Sequence, residues 1–361
     1  MMKPMSSSIS TSERDLAGAD ARGWWRFARI FAATVVTLWA ALGAVLYLID
    51  PFDTGRSPLP LKAGMPARAF QSPETARLDN ASRGRDQAFS GAIIGNSHVQ
   101  ALDPKRLTAA TGIPFVALVA QASGPLEQLA LLDWFVRHRT KPAALVLGID
   151  GPWCTARAAL TNDKPFPFWL YSRWHLAYLA GLMRFSVVTH ALPERIAYLL
   201  GLRERARPDG YWDYEPRFAK LGSDGEEQRR KLELPQETAE INRTGLFRAA
   251  EALAERLARL PRSTRVVLLR PPVFVTGLSA PGSEAATADQ ACLAAFSALA
   301  TRRPNTFLLD WRIDRSEIRD ASGFIDHTHY RKNIARLVEA DIARLIGDGP
   351  MPAGNVTSNV D

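Results

Sequence analysis

The sequence predicts an α/β protein, a three-layer sandwich built on a five-stranded parallel sheet, preceded by one N-terminal transmembrane helix. Three observations carry that reading. Residues 30–49 (IFAATVVTLWAALGAVLYLI) are twenty residues without a charge, the length that crosses a bilayer as a helix. After residue 88, five short apolar runs recur between turn signals, at 92–94, 115–119, 144–149, 266–269 and 307–309. Helical patterns lie between them. Strands that are apolar on both faces and alternate with helices indicate a parallel sheet covered on each side.

The apolar run is flanked as a membrane span is. Trp24 and Trp25 precede it and Tyr47 lies near its end, where interfacial aromatics belong. A buried core helix and a cleaved signal peptide are the alternatives. The run is longer than a usual signal core, and Asp50-Pro51-Phe52-Asp53 follows it in place of a small-residue cleavage site. Arg22, Arg26 and Arg29 precede the span, whereas Asp50 and Asp53 follow it. That asymmetry predicts a single-pass inner-membrane protein with a cytoplasmic N-terminus and a periplasmic C-terminal domain. Residues 1–29 are then the cytoplasmic tail, and the polar, Ser-rich first twenty are expected to be disordered. Residues 50–88, rich in Pro, Gly, Ser and Arg, read as a linker leaving the membrane.

The body spans residues 89–346. Leu126, Leu129, Leu132 and Phe135 place a helix over 126–136, and a second helix is expected over 286–300. Ile334, Leu337, Val338, Ile342 and Leu345 share one face of a last helix over 333–346. Between 151 and 245 the alternation stops. This insert holds Trp153, Trp169, Trp174, Trp212, Tyr171, Tyr178, Tyr198, Tyr211 and Tyr214. Its aromatics read either as a satellite cluster that packs the insert on the body or as a lid or groove for sugar rings or an acyl chain. Residues 347–361, rich in Pro, Gly and Asn, are expected to be disordered.

The 361 residues are 47% hydrophobic, enough for a well-filled core. The net charge of +8 raises the question of nucleic acid. The basic residues are interspersed with acids, as in Arg203-Glu204-Arg205, so a solvated surface is the better reading and no nucleic-acid partner is expected. Cys154 and Cys292 lack metal-like spacing. One disulfide or two buried thiols are both open.

The chemistry-bearing residues lie at the two ends of the body. Gly95-Asn96-Ser97-His98 follows the first apolar run, and Asp326-His327-Thr328-His329 precedes the last helix. A serine hydroxyl needs an imidazole to take its proton and a carboxylate to hold that imidazole in the right tautomer. Ser97, just past the end of the first strand, stands where open parallel sheets place their ligands. No His, Asp or Glu pair has the helical spacing of a zinc motif, so neither a metal nor a cofactor is expected. His98 is expected to cap or pack the turn after Ser97, and His138, His175 and His190 form no constellation.

Gly95-Asn96-Ser97 near the start of the body and Asp326-x-x-His329 near its end resemble the first and last blocks of the SGNH (GDSL-like) hydrolase superfamily. The likeness covers roughly residues 88–346 and implies that family's flavodoxin-like sheet. The membrane-anchored layout and Val146-Leu147-Gly148-Ile149-Asp150 are also similar to a subgroup related to periplasmic alginate O-acetylation proteins. The resemblance implies Ser97 as nucleophile, His329 as general base and Asp326 as the group orienting His329. It also implies oxyanion donors at the Ser97 and Gly124 amides. Gly124, followed by Pro125, reads equally as a turn before a helix.

The third block departs from the family. Asparagine is expected after the third strand, and this chain has Asp150 in Gly148-Ile149-Asp150. An ionised carboxylate has no proton to donate and repels a developing oxyanion. Asp150 would serve there if protonated; otherwise another donor substitutes, or Asp150 has a different role. The resemblance thus implies a serine esterase or O-acetyltransferase acting on cell-envelope or exopolysaccharide glycan. The alternatives are a non-catalytic scaffold for polysaccharide binding or envelope assembly, and a lipid-directed esterase. The partners implied are a glycan or acyl-ester substrate, the inner membrane through one helix, and envelope or polysaccharide-assembly proteins.

Overall fold

The structure, a computed structural model, describes residues 11–68, 72–157, 165–220, 222, 225–236, 240–347 and 354–357. Five parallel strands form its centre: β1 (Gly91–Gly95), β2 (Phe115–Val119), β3 (Ala144–Gly148), β4 (Arg265–Arg270) and β5 (Thr306–Asp310). Their spatial order is β2-β1-β3-β4-β5. Each expected apolar run is one of these strands, and side chains of β1, β2, β3 and β5 are buried along their whole length. A sixth strand, β6 (Gly354–Thr357), pairs in parallel with β5 inside the tail that the sequence assigns to disorder. Residues 348–353 and 358–361 of that tail lie outside the described residues.

Alternate strand residues feed two cores, as the pleat requires. Ile94, Val116, Leu118, Leu145, Leu147 and Leu268 face a core shared with α4 (Pro125–Arg137), α10 (Arg248–Leu257) and α11 (Glu284–Arg302). Ile93, Phe115, Ala117, Val146, Val267 and Leu309 face the other, against α3 (Pro104–Thr111) and α12 (Lys332–Gly347). The expected helices over 126–136, 286–300 and 333–346 are α4, α11 and α12. α3, which the apolar pattern did not signal, is set by its ends. Asp103 caps its start by accepting from Lys105 N at 3.0 Å, and Gly112 ends it in the left-handed region at φ 71°.

Two corrections concern the N-terminal third. Helix α1 (Thr11–Ile49) begins well before the apolar run, so residues 11–20, read from sequence as disordered, are helical; residues 1–10 lie outside the described residues. From Gly23 to Ile49 the helix is long and apolar enough to cross a membrane, with a mean hydropathy of 2.1. Residues 50–88 are not a free linker either. They contain α2 (Pro73–Arg85), opened by a capping box between Ser72 and Thr75. α2 has few apolar residues and docks through polar ones: Asn80 Nδ2 donates to Val119 O at 2.9 Å. Asp53, 3% exposed, accepts from Ser82 Oγ at 2.6 Å, Gly64 N at 2.7 Å and Arg195 Nη2 at 3.3 Å, and pairs with Arg85. A polar segment without apolar period is thus held by a buried charge cluster that periodicity does not reveal.

The insert carries α5 (Phe168–Tyr171), α6 (His175–Leu182), α7 (Leu192–Leu199), α8 (Glu215–Lys220) and α9 (Glu226–Glu233). Trp153, Tyr171 and Tyr178 join the core above α4. Cys154, in the 3-10 turn after β3, is joined to Cys292 of α11 by a disulfide. Of the two open readings of the cysteines, the disulfide is the one found.

Candidate active site

The strand order reverses between β1 and β3, so their connections leave in opposite directions and open a crevice beyond the carboxyl ends. Ser97 stands there, at the start of a 3-10 turn (Ser97–Val99) directly after β1. Two glycines make that turn fit. A Cβ on Gly95 would lie 2.6 Å from Val99 Cγ2, and one on Gly148 would lie 2.8 Å from Val99 Cγ1. Val99 therefore seats in the space left by two absent side chains, and the turn that carries Ser97 sits directly on the strand ends. Asn96 caps the turn, its Oδ1 accepting from His98 N at 3.0 Å.

The loop before α12 brings the other two residues. His329 Nε2 lies 2.9 Å from Ser97 Oγ, and His329 Nδ1 lies 2.8 Å from Asp326 Oδ2. Asp326 Oδ1 also accepts the amides of Thr328 and His329, each at 2.9 Å. Burial alone would raise the Asp326 pKa. The hydrogen bond and charge of His329 and the two backbone amides outweigh it and hold the carboxyl well below its usual range. An ionised Asp326 takes Nδ1–H, which leaves Nε2 as the accepting nitrogen toward the Ser97 hydroxyl. Tyr214 and Phe218 of the insert wall the imidazole, with ring centroids at 6.2 and 5.9 Å. The insert therefore both packs on the core and borders the site.

The oxyanion side differs from expectation at two residues. The Gly124 amide donates to Glu127 Oε2 at 2.9 Å, a local bond across the first turn of α4. Gly124 stands in the turn before α4, and its N–H is bonded to Glu127. Asp150, 4% exposed, does not face Ser97 through a hydrogen bond. Its Oδ2 accepts from Asn96 Nδ2 and lies 2.8 Å from His98 Nδ1, while its Oδ1 is buried and has no partner among the described residues. The Ser97 amide opens the 3-10 turn, where N–H groups have no partner within the helix.

His98 is the residue that sequence reasoning undervalued. It does pack the turn, but it also forms a second imidazole–carboxylate pair beside the first, its ring 5.2 Å from that of His329. The signal was available: an acid in a buried position after β3 needs a cationic or donating partner. A cavity of about 360 Å3 opens next to this pair, lined among others by His98, Asp150, Asn242, Arg312 and Thr328. Arg312 lines it, its Nε without a partner among the described residues. Comparison with protein-family models, with curated proteins and with solved structures gives no match.

Proposed function

We propose that this protein is a membrane-anchored serine esterase or O-acyltransferase of the SGNH type, acting in the periplasm on cell-envelope or exopolysaccharide glycan. The observation that carries the reading is the continuous relay from Asp326 through His329 to Ser97, at 2.8 and 2.9 Å. A hydroxyl, an imidazole and an ionised carboxylate in that order make a nucleophile of serine. Ser97 attacks an ester carbonyl while its proton passes to His329 Nε2. The acyl-enzyme is then released to water or to a sugar hydroxyl. The cavity beside His98 supports an oxygen-rich substrate, since Arg312 lines it and its Nε–H has no partner among the described residues. The anchor is α1, and the arginines before it with the aspartates after it support a periplasmic body.

Labelling with a fluorophosphonate probe tests the reading. The wild type is expected to label and Ser97→Ala to stay unlabelled. A wild type that takes no label overturns the proposal.

A second reading is favoured by a specific observation, the engaged Gly124 amide together with a carboxylate at Asp150. With these two donors missing, the fold would serve as a non-catalytic scaffold for polysaccharide binding or envelope assembly. In that case Ser97→Ala restores the phenotype of a deletion strain as fully as the wild type does.

A further inference from the structure

The pair formed by His98 and Asp150 is unused by the relay just described, although it lies beside it. His98 Nδ1 is taken by Asp150 at 2.8 Å, which leaves Nε2 for the cavity that His98 lines. Asp150 is buried, and its Oδ2 gathers both Asn96 and His98. Two imidazoles with centroids 5.2 Å apart repel each other when both are charged. Each ring is held at Nδ1 by its own carboxylate, which leaves one Nε2 for Ser97 and the other for the cavity.

We propose that His98 is a second catalytic acid–base in this site, serving the alcohol oxygen of the ester while His329 serves Ser97. The assignment rests on the acyl-transfer reading of Ser97. The cycle starts with His98 protonated and His329 neutral. Ser97 Oγ gives its proton to His329 Nε2 and bonds to the acyl carbon. The ester C–O bond breaks, and His98 Nε2 gives its proton to the departing alcohol oxygen. The acyl-enzyme then holds a protonated His329 and a neutral His98. An acceptor hydroxyl, from water or sugar, gives its proton to His98 as its oxygen bonds to the acyl carbon. The Ser97 ester bond breaks and Oγ recovers its proton from His329. Both halves balance, and each is the reverse of the other, as transfer between alcohols requires. Asp150 acts through His98 and is a positioning residue. Its presence in place of asparagine then supplies a proton carrier for the alcohol in place of a neutral donor for the oxyanion.

Leaving-group dependence tests this. p-Nitrophenolate departs without a proton, whereas an alkoxide requires one. His98→Gln is expected to slow ethyl acetate turnover by about 10²–10⁴-fold, the usual worth of a general acid–base group. Its acylation by p-nitrophenyl acetate is expected to fall by no more than about tenfold. Asp150→Asn, which removes the carboxylate that holds His98 Nδ1, is expected to show the same selectivity. Equal losses on the two esters in both variants, or no loss on ethyl acetate, overturn the role of His98 and leave the serine relay intact. A wild type that takes no fluorophosphonate label overturns both.

A different observation carries a second inference, about the insert. α6 and the segment after it pack on the last turns of α1: a groove of about 650 Å3 is lined by Trp39, Gly43 and Tyr47 of α1 and by Leu176, Leu179 and Met183 of the insert. At 1.5 Å per residue, Gly43 lies about 9 Å inside a span that ends at Ile49. Whatever touches Gly43 there shares its depth. Leu176 and Phe185 are 81% exposed, Leu202 74%, Trp174 72% and Leu200 69%. Such a group of large apolar side chains, continuous with a membrane helix, needs an apolar cover. Arg173 and Arg184, both exposed, flank it.

We infer that α6, α7 and the segment between them are seated in the leaflet on the side of the body, as a second, monotopic contact with the bilayer. The seat rests on α1 crossing the membrane. The test places a nitroxide on single cysteines in the full chain reconstituted in lipid nanodiscs. Leu176→Cys and Phe185→Cys are expected to be reached by oxygen and shielded from a water-soluble nickel chelate, like Val36→Cys in α1 and unlike Glu255→Cys in α10. Chelate access at Leu176 and Phe185 with Val36 shielded overturns the seat alone. Chelate access at Val36 as well overturns the anchor and the seat together.

Discussion

His329 Nε2 lies 2.9 Å from Ser97 Oγ across 232 residues of chain. The contact joins the turn after the first strand to the loop before the last helix, so it forms only when the sheet is complete. Replacing Ser97 or His329 with alanine is therefore expected to abolish the proposed ester turnover while leaving thermal unfolding nearly unchanged, since both side chains are partly exposed. Parallel activity and melting measurements check this.

Asp326→Asn removes the charge that fixes the His329 tautomer and is expected to lower kcat by on the order of 10³–10⁴-fold. The sign of its effect on stability follows from the depressed pKa. A depressed carboxyl stabilises the fold above its unfolded pKa, and that contribution fades as pH falls through the lower folded value. The stability gap between wild type and Asp326→Asn should thus be constant from neutral pH down to the ordinary carboxylate range, then narrow below it. Urea melts across that range read the gap directly.

Gly148→Ala places a methyl 2.8 Å from Val99 Cγ1, at the seat of the turn that carries Ser97. Val99 must move, and a shift of about 1 Å at a nucleophile costs on the order of 10²-fold in rate. The variant is expected to fold, with melting only modestly lower, and to lose activity out of proportion. An unchanged rate would show that Val99 relaxes without moving Ser97.

Asp53 holds Arg195, whose side chain is fully buried. Asp53→Ala leaves that guanidinium uncompensated, a loss of about 3–5 kcal/mol for a broken buried pair. Denaturant unfolding of the full chain in detergent measures it. A change near that of an exposed ion pair would argue that water reaches Arg195.

The Cys154–Cys292 bond closes a loop of 138 residues between the insert and α11. Reduction or a double serine variant is expected to cost about 2–5 kcal/mol. Melting with and without reductant reads the difference, and an unchanged melting temperature would mean that packing alone holds the insert.

The sheet was legible because a strand buried on both faces leaves a local trace, a short apolar run between turn residues. The runs at 92–94 and 307–309 are parts of β1 and β5 for that reason. α2 left no such trace. It docks by hydrogen bonds from Asn80 and by charges around Asp53, and polar docking has no period. The helical residues 11–20 were missed because polar, Ser-rich composition reads as solvated chain.

By itself the sequence determined the alternation of strands and helices, the apolar span at 30–49, and the residue types of a relay at Ser97, Asp326 and His329. These depend on local composition and on short spacing. Only the tertiary structure decided that Ser97 and His329 meet and that Asp150 turns to His98. Each of those outcomes depends on where a side chain finds its partner in three dimensions. A buried carboxylate takes the nearest donor, and what is nearest is settled only once β1 and β3 lie side by side.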